Sequence, residues 1–254
     1  MSRFSITVLI GVTNETESLK KTVFQIFEQC DAQDISKVYL VKSKTVPQAT
    51  NEAISFLEKK FPGKAVGFEQ SKPFVGGALQ DSFLLVKSSH MMLLPADLAI
   101  DLRVLPQLIA KAKQHPNSIV KVSRWLVPNS FHNYPRVRKA LNACAQAFLR
   151  KLYQTNLTDF TMSVLIMPSK IYEIINWREL DFSVFLELML CPTRLGVSII
   201  ELPGTCYGRT EGRSNNSFMK TARYLKTAFR IRFEKREKLI KHQYRNRLKN
   251  KSDF

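Results

Sequence analysis

The stretch from Gly76 to Leu102, GGALQDSFLLVKSSHMMLLPADLAIDL, decides the fold: it sets a glycine turn, an amphipathic helix, an apolar strand and an acidic strand end in one order. Gly76 and Gly77 permit a tight turn, Ala78, Phe83, Leu84 and Val86 then form the buried stripe of a helix, and Met91 to Leu94 form a strand. Asp97 follows at the strand's carboxyl end, the edge where open α/β sheets take ligands and where a carboxylate can hold a divalent cation against a diphosphate. Taken alone, the stretch fits a plain helix-strand crossover with a solvated aspartate better than a binding site. Its neighbours change that balance.

On either side, apolar runs alternate with helical periodicity. Strands are predicted near Ser5 to Gly11, Lys37 to Val41, Ala65 to Glu69, His90 to Leu94, Ile119 to Ser123, Val164 to Met167 and Ser198 to Leu202, with helices between them. To about Trp125 the order is that of βαβ units in a mostly parallel α/β sheet with right-handed crossovers. The chain divides into an α/β domain over residues 1–216 and a basic amphipathic helix and tail over 217–254. The segment VPNSFHNYPRVRK, Val127 to Lys139, has the composition of a mobile active-site loop and equally that of an ordinary surface loop.

At 254 residues and 44% hydrophobic, the chain can bury a full core without help from disulfides or metal. Cys30, Cys144, Cys191 and Cys206 show no paired metal-ligand spacing and read as buried free thiols in a reducing cytoplasm. No signal peptide is read at the start. The longest apolar runs fall short of the ~20 residues of a membrane span, so the expectation is a protein that lies on a membrane without crossing it.

The formal net charge of +18 calls for an anionic partner or surface. Residues 217–254 hold 13 Lys and Arg against 3 Asp and Glu, so more than half of the excess sits there. Within that segment Phe218, Ala222, Leu225, Phe229 and Phe233 recur at helical spacing beside Lys220, Arg223, Lys226, Arg230 and Arg232. Such a helix suits an anionic bilayer surface, and equally a place on the core with a solvated basic face. Beyond Glu234 the stripe thins into what reads as a frayed basic tail.

Six motifs then stand in order: ITVLIGVTNETESLKKTV from Ile6, GGALQDSF from Gly76, LLPADLAIDLRVLPQLI from Leu93, VSRW from Val122, LTDFTMSVLIMPSKIYEII from Leu157 and GRTEGRSNNSFMKTARYLKT from Gly208. In this order they resemble the family 2 glycosyltransferases with the GT-A (Rossmann-like) fold, above all the dolichyl-phosphate or polyprenyl-phosphate sugar transferases, in register from about Ile6 to about Phe233. The resemblance implies a nucleotide-sugar donor, and Mg²⁺ or Mn²⁺ held by Asp97. It implies substrate binding by Asn14, Glu15, Gly76, Gly77, Asp159, Gly212 and Ser214, with Arg124 and Arg209 on the phosphates. DFSVFLELML, from Asp181, is similar to the family's acceptor helix and makes Glu187 a catalytic carboxylate. Glu187 equally fits pairing with a buried arginine, and Asp159 equally fits capping a turn.

The departures bear on chemistry. Lys42 and Ser43 replace the paired aspartates that the family places near the nucleotide base, and Pro95 replaces the first aspartate of the metal motif, leaving Asp97 with Asp101 four residues on. Asn215 stands where lysine is common and Leu165 where arginine is, which removes two cations from phosphate binding. His90, His115, His132 and His242 form no motif.

Sugar transfer from a nucleotide diphosphate requires stabilisation of charge on the leaving phosphates. A lipid phosphate acceptor is already an oxyanion and requires no strong base, whereas a hydroxyl acceptor requires one, for which Asp159 and Glu187 are available. The expectation is an inverting glycosyltransferase, peripheral on the cytoplasmic face of a membrane, that serves a polyprenyl phosphate or a growing glycan. A degenerate homologue acting as partner subunit to a membrane protein is the alternative within the fold. A nucleic-acid-binding protein ranks third, since no binding motif accompanies the charge.

Overall fold

The computed structural model describes residues 3–208, 211 and 218–249, with the backbone alone for 218–221 and 246–249. Seven strands, β1 (Ile6–Val12), β2 (Ile35–Lys42), β3 (Ala65–Glu69), β4 (His90–Pro95), β5 (Ile119–Ser123), β6 (Leu165–Pro168) and β7 (Ile199–Pro203), make one sheet in the order β3-β2-β1-β4-β6-β5-β7. All seven predicted strands are present, each within two residues of its expected ends. β6 runs antiparallel to β4 and β5, and the remaining pairings are parallel. The carboxyl ends of β1, β2, β4, β5 and β7 therefore share one edge of the sheet.

Helices α1 (Glu17–Gln29), α2 (Gln48–Lys60), α3 (Phe74–Ser82), α4 (Leu105–Gln114), α5 (Arg136–Tyr153), α6 (Ser169–Ile174), α7 (Ser183–Leu195) and α8 (Phe218–Phe233) cover the two faces. Strand side chains alternate between faces, so Ile6, Val8 and Ile10 of β1 enter one core, while Leu9 joins Met91 and Leu93 of β4 in the other. The first core is closed by Leu19, Val23 and Ile26 of α1, spaced one helical turn apart. The second is closed by α7 together with Ala228 and Ile231 of α8.

Four expectations are corrected. Gly76 and Gly77 lie inside the first turns of α3 and make no turn before it. Their role is close approach: a Cβ on Gly76 would lie 2.3 Å from the Glu179 carbonyl oxygen, and one on Gly77 would lie 2.8 Å from the Lys72 backbone. Leu84 is exposed, because α3 gives way to a 3-10 turn at Phe83–Leu85 that rotates it outward. Cys144 is exposed on α5, whereas the other three cysteines are buried.

The fourth correction concerns the chain after Glu234, which is no frayed tail as far as it is described. Leu239 and Ile240 are buried in the second core, Ile240 bridges to Ile175, and the Lys241 amide donates to the Ile174 carbonyl at 2.9 Å. α8 itself packs through Thr227, Ala228 and Ile231 rather than through the predicted stripe. That stripe faces out: Leu225, Phe229 and Phe233 are exposed, and Phe218 lies outside the described side chains.

Candidate active site

The shared carboxyl edge gathers most of the predicted residues. After β1, Asn14 is exposed, but the Glu15 carboxylate folds back and accepts from the Thr13 amide at 2.7 Å and the Asn14 amide at 3.1 Å. Glu15 thus shapes the turn into α1 instead of reaching outward. At the end of β2, the Lys42 amine donates to Asn51 Oδ1 at 2.6 Å, so the place expected near a nucleotide base carries a cation supported by an amide.

Asp97 follows β4 and is only 6% exposed, not the solvated strand-end carboxylate of a plain crossover. Its Oδ1 accepts from the Ala99 amide at 3.1 Å, and Leu98 between them adopts a left-handed φ of 53°, a conformation that costs a branched residue energy and that recurs at functional turns. Asp101, four residues on, is engaged by neighbouring side chains. It grips Arg103 through Nε at 2.9 Å and Nη2 at 2.5 Å and accepts from the Tyr207 hydroxyl at 3.4 Å. Among the described residues no three His, Cys, Asp or Glu converge as a metal cage. The donor set, one carboxylate, therefore fits a Mg²⁺-like ion that draws its other ligands from water and substrate phosphate, and does not fit a resident all-protein site.

Arg124 follows β5 and is almost fully buried. Its Nε and Nη2 donate to Asp159 at 2.7 and 2.9 Å, and Nη2 also donates to Thr161 Oγ1 at 3.0 Å. Asp159 also accepts from the Thr161 and Met162 amides, both at 3.2 Å, so it caps a turn while it fixes the guanidinium. Burial alone would raise its pKa, but Arg124 and Lys121 outweigh that and hold the carboxyl well below the usual carboxylate range. Lys121, fully buried on β5, donates to the Asp159 carbonyl, and burial pushes its amine below the ordinary lysine range. Glu201 of β7 takes the Thr158 and Asp159 amides at 2.7 and 2.9 Å. Sequence reasoning missed Lys121 and Glu201. The available signal was a charged residue within each of two predicted strands, and the two are register partners.

The segment after β7 laces these strand ends together. Gly204 donates to the Ser123 carbonyl at 3.1 Å, Cys206 bridges both Ile100 and Phe131, and Tyr207 donates to Ala99 at 3.0 Å. Further along, the Glu211 carboxylate accepts from the Thr16 amide and the Ser18 hydroxyl, both at 2.8 Å, at the amino end of α1. No local pattern could have disclosed a bond spanning 195 residues. Arg209, Gly212 and Ser214 lie outside the described residues.

Glu187, the expected catalytic carboxylate, lies inside the protein on α7. Its carboxylate is wholly buried, receives Arg230 at 2.8 Å and accepts from the Arg178 and Glu179 amides at 3.0 and 2.9 Å. Burial keeps its pKa raised despite those partners. The 178–180 segment that it anchors meets α3 where Gly76 donates to the Leu180 carbonyl at 2.6 Å. Gly76 and Gly77 are thus remote from open space and serve this packing. Asp159, an expected substrate ligand, is likewise unexposed and is bound to Arg124.

A Rossmann-like sheet whose carboxyl edge carries a lone acidic turn after β4 and a clamped arginine after β5 is the framework of a GT-A glycosyltransferase. The description "Glycosyl transferase family 2" matches residues 7–174, and the chain belongs to that family. Solved structures of glucosyl-3-phosphoglycerate synthase from Mycobacterium tuberculosis share the fold. The complex with Mn²⁺, UDP and phosphoglyceric acid superposes with a TM-score of 0.66 at 13% identity, covering 91% of this chain and 80% of that one. The complex with Mn²⁺, UDP-glucose and glycerol 3-phosphate gives 0.63 at 14% identity, over 90% and 80%. The complex with Mg²⁺ and UDP gives 0.64 at 14%, over 90% and 78%.

Proposed function

We propose that this glycosyltransferase moves a sugar, with inversion, from a nucleotide-diphosphate donor to a polyprenyl phosphate at the cytoplasmic face of a membrane. One observation carries the choice of acceptor: both carboxylates available as a general base are locked in buried ion pairs, Asp159 on Arg124 and Glu187 on Arg230. A hydroxyl acceptor, as on a growing glycan, needs a base to take its proton, whereas a phosphate acceptor attacks as the oxyanion it already is. The solved glucosyl-3-phosphoglycerate synthases, with UDP-glucose and acceptors that carry phosphate, support a reading of the same donor class.

Arg124, its plane set by Asp159, is the group that meets phosphate charge on the β5 side, and Arg209 is expected to act with it from the segment after β7. Asp97 would hold Mg²⁺ or Mn²⁺, which when bound supplies positive charge against the departing diphosphate. Lys42, held by Asn51 at the end of β2, would stand near the nucleotide base in place of a carboxylate.

A screen of UDP-, GDP-, CMP- and dTDP-sugars with Mg²⁺ or Mn²⁺, read by thermal shift and followed by transfer to polyprenyl phosphate or glycan with the product anomer determined, tests this reading. Transfer to the lipid phosphate is expected. Transfer only to a hydroxyl acceptor overturns the acceptor class. Failure to bind any sugar nucleotide overturns the enzymatic reading in favour of a catalytically silent partner subunit, which Pro95, paired in register with Gly11 where the family has an aspartate, independently favours.

A further inference from the structure

Helix α5 turns the wrong face to water. Gln146, Leu149 and Tyr153 bury one side of it, and on the opposite side, where a surface helix ordinarily carries polar groups, Val137 and Leu141 are 74% and 66% exposed and Phe148 continues the stripe. α8 repeats the arrangement: Ala228 and Ile231 face the core, and Leu225, Phe229 and Phe233 face out. The two stripes meet, because the Phe148 and Phe229 rings pack edge to face at 5.9 Å and Phe229 stacks on Phe233 at 6.2 Å. Two backbone anchors hold the helices side by side, from Tyr153 OH to the Ala228 carbonyl and from Arg232 Nε to the Leu152 carbonyl, each at 2.7 Å.

Charge identifies the occupant. Each helix carries five Lys and Arg and no Asp or Glu. Arg223 and Arg230 of α8 are paired with carboxylates, but Arg136, Arg138, Arg150, Lys151 and Lys226 are exposed and enter no ion pair among the described residues. A continuous apolar strip flanked by Arg138 and Lys151 on α5 and by Lys226 on α8 matches the acyl boundary and headgroups of an anionic bilayer.

We infer that α5 and α8 together form a docking face that seats this protein on an anionic lipid surface. The apolar residues enter the acyl boundary and the cations meet the headgroups. α5 also links the face to the site: Lys139 lies 5.0 Å from the Phe131 ring centroid, and the Arg124 guanidinium lies 5.5 Å from the same ring. The docked protein presents the Arg124 side of the cleft at headgroup height, where a lipid phosphate lies; this last point rests on the proposed acceptor, whereas the docking itself does not.

Flotation of the full chain with phosphatidylglycerol–phosphatidylcholine vesicles, and with phosphatidylcholine alone, tests the face. Binding is expected on the anionic vesicles at low salt, weakening as salt rises, with little on the neutral ones. V137S/L141S, which touches neither the core nor the cleft, is expected to weaken partitioning by about tenfold or more for each apolar side chain lost, with an unchanged thermal midpoint. R138E/K151E is expected to remove most of the salt-sensitive part. Wild-type partitioning by V137S/L141S overturns the inference, as does a wild-type chain that stays unbound at low salt. A dimer that V137S/L141S dissolves overturns it in favour of a second copy. Sugar-nucleotide thermal shifts, measured on the same variants without vesicles, report on the glycosyltransfer reading separately, so that either can fail alone.

Discussion

Asp159 holds Arg124 by two parallel hydrogen bonds, at 2.7 and 2.9 Å, that fix the plane of the guanidinium. Removing the carboxylate leaves the buried Arg124 without its ion-pair partner, whereas Lys121 keeps Glu201 at 3.9 Å. Asp159→Ala is therefore expected to lose roughly 3–5 kcal/mol of stability, the usual consequence of stranding a buried charge. Urea denaturation checks this. Arg124→Lys keeps charge but loses the planar fork, and turnover is expected to fall by ~10²-fold or more with a smaller loss of stability.

Gly76 of α3 and Gly11 of β1 predict opposite outcomes from one substitution. Gly76→Ala drives a methyl to 2.3 Å from a carbonyl oxygen and 2.6 Å from the Leu180 carbonyl carbon, both backbone atoms that cannot move alone. A loss of ~2 kcal/mol or more is expected. Gly11→Ala, whose Cβ meets nothing within 4 Å, is expected to change stability by less than about 0.5 kcal/mol. Paired chemical denaturation midpoints separate the two.

At Asp97 the expected loss is of binding. Asp97→Asn keeps an acceptor for the Ala99 amide but not the charge, so the chain should stay folded while Mg²⁺-dependent nucleotide binding falls by at least tenfold in calorimetry. Equal metal dependence in both proteins would remove Asp97 from that role.

His90 predicts a pH dependence. It is buried between Ser89 Oγ at 2.9 Å and the Pro116 carbonyl at 3.0 Å, and burial, the main cause, lowers its pKa below the ordinary 6.5. The unfolded chain then takes up its proton first as pH falls. The stability His90 provides is complete above 6.5 and is lost as pH drops through its lower folded value. His90→Gln should flatten the stability profile below pH 6.5, as read by thermal midpoints across buffers.

The strands were legible because each is a short apolar run bounded by turn residues. Asp97 and Arg124 were legible because they follow such runs. The partners that decide their chemistry were not, since Arg124 meets Asp159 35 residues away and Glu187 meets Arg230 across 43. No local period encodes such pairings. α8 shows another limit: it carries apolar residues on two sides, Tyr224, Ala228 and Ile231 on one and Leu225, Phe229 and Phe233 on the other. Periodicity finds both stripes but cannot say which one the core will take. The glycines of α3 were read as a turn because flexibility and close approach leave the same letter in the sequence.

The return of Leu239 and Ile240 into the second core has a consequence for biosynthesis. The first core draws on residues no later than Cys206 and can condense while the ribosome is still working, whereas the second includes Leu9 near the start and Ile240 some 230 positions later. Its apolar wall must wait, uncovered, until that late segment has cleared the exit tunnel. During that interval the uncovered wall is the part of the nascent chain most open to aggregation.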